Sequence, residues 1–143
     1  MFDYFDHHSK HALAMAQAAA VELHHPAIGQ EHMLLGILRT ESPARDALRS
    51  LGISFEQAQD AVEAIVPRGT GDPVRQGGLA LTAGASAAIE RADALRRQSK
   101  SGDLTPSLLL LGLVSDDGGV VNKALAKLGA TPDGVREAVA KAR

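Results

Sequence analysis

The chain contains itself twice. Ile28-Gly29-Gln30-Glu31-His32-Met33-Leu34-Leu35-Gly36-Ile37-Leu38-Arg39 returns as Leu104-Thr105-Pro106-Ser107-Leu108-Leu109-Leu110-Leu111-Gly112-Leu113-Val114-Ser115, aligned without a gap. Upstream, at the same offset, Ala12, Ala16 and Ala18 meet Ala88, Ala92 and Ala94, and Leu13 meets Ile89. Downstream, after one inserted residue, Ala47-Leu48 and Leu51-Gly52 meet Ala124-Leu125 and Leu128-Gly129. A tandem duplication constrains the fold more than any single motif. Each copy must be one supersecondary unit that finishes its core against its neighbour.

Composition says what that unit is made of. The chain has 143 residues, 45% hydrophobic and 22% charged, enough for one ordinary domain with a real core. Aromatics are only 3%, so the core is built from Ala, Leu, Val and Ile, and the many alanines favour closely packed helices. Cysteine is absent, which excludes a disulfide framework and thiolate metal ligands. No apolar run reaches membrane-span length and the N-terminus lacks a basic-then-apolar signal, so a cytoplasmic protein is expected. The net charge of −2 gives no pull toward nucleic acid or membrane. The halves differ: residues 1–66 are acidic on balance and residues 67–143 basic.

Read in order, the sequence predicts eight helices and no strand. A long alanine-rich helix over about Phe5 to Leu23 carries one apolar stripe, Ala12, Leu13, Ala16, Ala19, Ala20 and Leu23. His24-His25-Pro26 ends it, because a residue before proline avoids the helical region. Gly29 opens the second helix. Ser42-Pro43 starts a third by the cap-then-proline pattern, and Gly52 closes it. Ser54 with Gln57 is a capping box for the fourth, which stops at Pro67. Thr82, Thr105-Pro106, Gly119 and Thr131-Pro132 start the helices of the second copy. The expected organisation is a single all-α domain: repeat 1 over residues 1–66, a Gly/Pro linker over 67–80, and repeat 2 over 81–143, packed with a pseudo-twofold relation.

Reactive chemistry is poorly represented. There is no G-x-x-x-x-G-K-[ST] or G-x-G-x-x-G phosphate loop and no G-x-S-x-G elbow, so neither an enzyme nor a cofactor is expected. His7 and His11, at i, i+4 on a helix, could chelate a metal, but no third ligand is assignable, and a solvated first turn is the plainer reading. His24-His25 reads as helix end and turn. His32 has Leu108 as its counterpart, which predicts a core position with a ring nitrogen bonded to backbone. Glu31 has Ser107 as its counterpart, so burial does not demand a carboxylate. It either complements a helix N-terminus or stands free to receive a guanidinium or ammonium group. Phe2, Tyr4 and Phe5 cluster at the start. Burial of both phenylalanines is the default expectation, and one left near the surface would be a binding anchor. Arg91, Arg96, Arg97 and Lys100 fall late in their helix and complement its negative end.

Taken together, the aromatic start, the A-x-x-A helix and I-G-x-E-H-x-L-L-G-I-L resemble the Clp repeat. This is the N-terminal domain of ClpC/ClpA-type AAA+ unfoldases, where it occurs twice in tandem. Ile28, Gly29, Glu31, His32, Leu34, Leu35, Gly36 and Leu38 carry the resemblance. It implies an all-helical domain that docks adaptors and substrates for the Clp unfoldase-protease and does no chemistry. It further implies recognition of arginine-phosphorylated proteins, the Glu of each G-x-E-H motif holding the guanidinium. That role falls on Glu31; Ser107 cannot take it, so a second such site is lost or altered. Cyclic-peptide antibiotics bind ClpC N-domains between an N-terminal phenylalanine, here Phe2, and the start of the second repeat, here Leu81 and Thr82. Leu81 stands where a second aromatic is usual and Ser86 where a basic residue is. Without an ATPase segment, a stand-alone Clp-repeat protein is expected, acting as adaptor, competitor or sink. The alternatives are a sink that shields the unfoldase from cyclic peptides, and a metal-binding protein using His7 and His11.

Overall fold

The computed structural model describes residues 2–70, 80–100 and 102–142. Within them the chain forms α1 (His7–Glu22), α2 (Gln30–Leu38), α3 (Pro43–Ser50), α4 (Phe55–Ile65), α5 (Ala83–Gln98), α6 (Pro106–Val114), α7 (Val120–Lys127) and α8 (Pro132–Lys141). No strand occurs among the described residues; the extended backbone is limited to two isolated bridges. Ser42, Ser54, Thr82, Thr105 and Thr131 each cap a helix through the side-chain oxygen, as their sequence positions predict. The first helix differs from expectation. It begins at His7 rather than Phe5, because the Asp6 carboxylate accepts the Ser9 N–H at 2.7 Å and fixes the cap there. Phe5 is left in extended backbone and buried.

The two copies match element by element. α1 packs on α2 as α5 packs on α6, through glycines that occupy the same place in each copy. A Cβ at Gly36 would collide with the Ala12 carbonyl and the Ala16 amide, and one at Gly112 with the Ala88 carbonyl and the Ala92 amide. Only glycine lets the helix backbones approach this closely. Gly52 and Gly129, which end α3 and α7, both take left-handed backbone, with φ of 81° and 82°. Between copies α3 packs on α8, α4 on α7 and α2 on α6. The core is almost wholly aliphatic, with Leu34, Leu35, Ile37, Leu109, Leu110 and Leu113 at its centre.

The lead-in segments are exchanged. Phe5, before α1, forms a parallel bridge with Leu104, before α6; Leu81, before α5, forms one with Ile28, before α2. The hydrogen bonds repeat in the same register. Leu104 N–H donates to the Tyr4 carbonyl at 2.7 Å and Asp6 N–H to the Leu104 carbonyl at 3.0 Å. Ile28 N–H donates to the Ala80 carbonyl at 2.8 Å and Thr82 N–H to the Ile28 carbonyl at 2.9 Å. Residues 67–70, the described beginning of the expected linker, are tied down, with Gly69 N–H donating to the Leu23 carbonyl at 2.9 Å. Residues 71–79 of that linker lie outside the described residues.

Candidate functional site

The Ile28–Leu81 crossing sets the N-termini of α2 and α5 side by side. Gly84, in the first turn of α5, lies against the Gln30 side chain, where a Cβ would come within 2.8 Å of Nε2. Gln30 in turn donates through Nε2 to the Asp116 carboxylate at 3.1 Å. Thr82 is exposed, and its hydroxyl is engaged by the Ala85 amide at 3.1 Å. The amides of two helix first turns therefore converge here, a positive end-field that favours an anion.

Beside the crossing lies a cleft of about 470 Å3 walled by Phe2, Leu13, Ala14, Ile28 and Leu81, with Asp3, Lys10 and Gln17 at its rim. Phe5 is buried, but Phe2 is not: its half-exposed ring rests 4.9 Å from Phe5, tilted by 54°. The expectation that both rings are buried is corrected. The lead-in is a turn at Asp3-Tyr4 followed by extended backbone, not helix, so Phe5 enters the core while Phe2 stays at the cleft. Leu81 faces the same cleft, half-buried. Phe2 and Leu81 are thus brought together; Thr82 and Glu31 stand at the adjoining helix starts and do not line the cleft.

Glu31 occupies the first turn of α2, half-buried, and its carboxylate folds back over Gly29, where any Cβ would overlap it. His32 is buried, and its Nδ1 accepts the Gly29 N–H at 2.8 Å. That is the core position with a backbone bond read from its Leu108 counterpart. The two copies differ here: the His32 ring takes the amide of the cap residue Gly29 itself, whereas in the second copy the cap residue Thr105 takes the Leu108 N–H through its hydroxyl. Sequence reasoning missed His25. Its backbone does lie in the turn at the end of α1, but its ring is buried, with Nδ1 2.7 Å from His32 Nε2 and Nε2 2.9 Å from the Pro67 carbonyl.

The tautomers follow from these partners. Gly29 N–H can only donate, so His32 Nδ1 carries no proton and Nε2 does. His25 Nδ1 must then accept, and its Nε2–H donates to the Pro67 carbonyl. Donor atoms of His25, Glu31 and His32 lie within 4.8 Å of one another. A cation is nevertheless disfavoured. To ligate it, His32 Nε2 would shed its proton and Nδ1 would acquire one, facing the Gly29 N–H donor to donor. Burial, and next the neighbouring His25 imidazole, hold His32 at a pKa of about 4.

The alternative metal pair, His7 and His11, is not assembled into a site among the described residues. His7 packs edge-on against the His8 ring at 5.9 Å, and His11 Nδ1 donates to the Thr40 hydroxyl at 3.0 Å. No third ligand joins them among the described residues. The basic run is engaged structurally: Arg91 donates to the Gly112 carbonyl at 2.9 Å, and Arg96 pairs with Asp93 while lying 4.7 Å from the Tyr4 ring centroid. No described helix is long and apolar enough to cross a membrane.

A profile of the Clp repeat (R) N-terminal domain family matches residues 4–108. Among curated proteins, the chain is 34% identical over 140 residues to the negative regulator of genetic competence ClpC/MecB of Bacillus subtilis. It is 33% identical over 140 residues to the chaperone protein ClpB of Oceanobacillus iheyensis. Each alignment takes in 97% of this chain but 17% of the relative, so the chain spans about a sixth of their length. Among solved structures, the N-terminal domain of the chaperone ClpD from Arabidopsis thaliana superposes with a TM-score of 0.82 at 22% identity, covering 99% of this chain and 95% of that one. The N-domain of ClpV from Vibrio cholerae gives 0.76 at 20% identity, covering 99% and 86%. These likenesses extend to the fold.

Proposed function

Since the chain belongs to the Clp repeat N-terminal domain family, we propose that it is a non-enzymatic protein-binding module that recognises substrates or adaptors of the Clp unfoldase-protease system. The observation that carries the reading is the Ile28–Leu81 crossing. It puts an apolar cleft, two helix N-termini and a carboxylate on one face. A peptide side chain enters between Phe2 and Leu81. A phosphoarginine beside it sets its phosphoryl group against the first turn of α5 at Thr82 and its guanidinium against Glu31.

The second copy does not repeat this charge pattern. Ser107 replaces Glu31, and Asp6, the cap of α1, replaces Thr82. The Asp6 carboxylate at that helix start repels phosphate, and Ser107 supplies no charge to a guanidinium. One phosphoarginine per chain is therefore the expected stoichiometry. Calorimetry with free phosphoarginine and with an arginine-phosphorylated protein tests this. Glu31→Gln should cut the affinity about tenfold or more, in line with the roughly 1.5–3 kcal/mol of a charge-assisted hydrogen bond. Two equivalent sites, or an unchanged affinity in Glu31→Gln, would defeat the assignment.

The half-exposed Phe2 ring in its 470 Å3 cleft favours a second reading, a sink for cyclic peptides that shields the unfoldase. Cyclic-peptide binding lost in Phe2→Ala, with no phosphoarginine signal in the parent chain, would select it.

A further inference from the structure

We infer that His25 and His32 form a pH-sensitive latch that pins residues 67–70 to the start of α2, closed while both rings are neutral and opened by the first proton either takes up. The structure shows one directional relay. Gly29 N–H donates to His32 Nδ1 at 2.8 Å, His32 Nε2 lies 2.7 Å from His25 Nδ1, and His25 Nε2 lies 2.9 Å from the Pro67 carbonyl. Every ring nitrogen is used, and each can be used in only one way, because the first donor is a backbone amide and the last acceptor a backbone carbonyl. A proton added at His32 Nδ1 confronts the Gly29 N–H. A proton added at His25 Nδ1 confronts His32 Nε2–H. Turning either ring over puts carbon where nitrogen is needed. A buried donor facing a donor costs the pair its hydrogen bond and its desolvation.

The relay ties the start of α2 to the segment that follows α4, in addition to the packing between those two helices. Its far end is the exit of α4, where Gly69 N–H bonds the Leu23 carbonyl and Arg68 reaches the Glu22 carbonyl at 3.5 Å. Its near end is the helix start that carries Glu31. The second copy has no such device, since Leu108 stands in place of His32. The low pKa of His32 agrees with a closed state that is neutral at pH 7. The titratable and charged groups on the surrounding elements are Glu22 at the end of α1, His24 just past it, Glu31 on α2, Glu63 on α4, Arg68 after α4 and Asp116 behind Gln30. Glu63 is held below the usual carboxylate range chiefly by its hydrogen bond from Arg68. It therefore stays charged and draws an incoming proton toward the pair, while Arg68 opposes it.

Amide exchange across pH tests the latch. Opening that needs one proton makes protection at Gly29 and Gly69 fall about tenfold per pH unit below the ordinary histidine pKa of about 6.5. Leu104, bonded to Tyr4 in the second crossing, should stay better protected than Gly69 at every pH in that range, because it exchanges only when the whole chain unfolds. In His32→Leu, the Gly69 slope should vanish. Should that variant not fold, long-range proton–nitrogen spectra of the parent chain decide, with Nε2–H expected on both rings at neutral pH. A Nδ1–H tautomer on either ring would overturn the latch. So would a flat Gly69 profile, or Gly69 protection equal to that of Leu104 at every pH, which reports global unfolding and no local opening.

Discussion

Single atoms decide several features of this molecule. The hydrogen at Gly36 is one: a methyl group there meets backbone on α1, which cannot move aside as a side chain would. Gly36→Ala should therefore destabilise the chain by about 3 kcal/mol or more, against 1 kcal/mol or so for Gly52→Ala, whose surroundings are open and whose cost is left-handed backbone. Urea midpoints would rank the two. The His32 ring nitrogen is another. Its pKa is about 4 in the folded chain, below the value near 6.5 of an unfolded histidine, so the unfolded state binds more protons between those limits. Stability is then fully present above about pH 6.5 and lost as pH falls toward 4, by up to about 3 kcal/mol. Urea melts at pH 7 and pH 5 should show this loss in the parent chain and little of it in His32→Leu. Neither His25 nor its partner could be paired from sequence. The two are joined by a turn around Pro26 whose path no periodicity reports. The backbone bond of His32 was legible only because the duplication aligned it with a leucine.

At the level of the helix, start signals were the most readable part of the chain. Ser42, Ser54, Thr82, Thr105 and Thr131 act locally, through an oxygen and an amide three residues apart, so tertiary context does not enter. Helix α1 starts at His7 and not at Phe5, because Asp6 caps it and a turn at Asp3-Tyr4 precedes it. Its boundary is set from outside, where the Leu104 amide takes the Tyr4 carbonyl and the Leu104 carbonyl takes the Asp6 N–H, which keeps Phe5 and Asp6 in extended backbone. That non-local bond also leaves Phe2 at the surface, which is why half of the candidate cleft could not be read from spacing. Thr131→Ala should cost about 1 kcal/mol, with the first turn of α8 fraying because the Gly134 amide loses its acceptor. A drop in the denaturation midpoint with amide exchange rising at Gly134 would show it. An unchanged midpoint would mean that the Thr131 cap contributes nothing.

Across the molecule, the two copies do not stack as independent units. Each supplies the strand-like lead-in that the other needs, and α3 and α4 find their partners in α8 and α7. Residues 1–70 alone would expose the faces of α3 and α4 and leave Ile28 and Phe5 without backbone partners. Such a piece should show a broad, non-cooperative thermal transition by circular dichroism, whereas the whole chain melts in one step. A sharp melt of the piece would mean that the first copy is self-sufficient. Because the crossings are reciprocal, no contact in them distinguishes a copy's own twin from the identical twin on a neighbouring chain. Two molecules refolding together at high concentration can satisfy every crossing by trading halves, so the same geometry that closes one chain is also a route to an exchanged dimer.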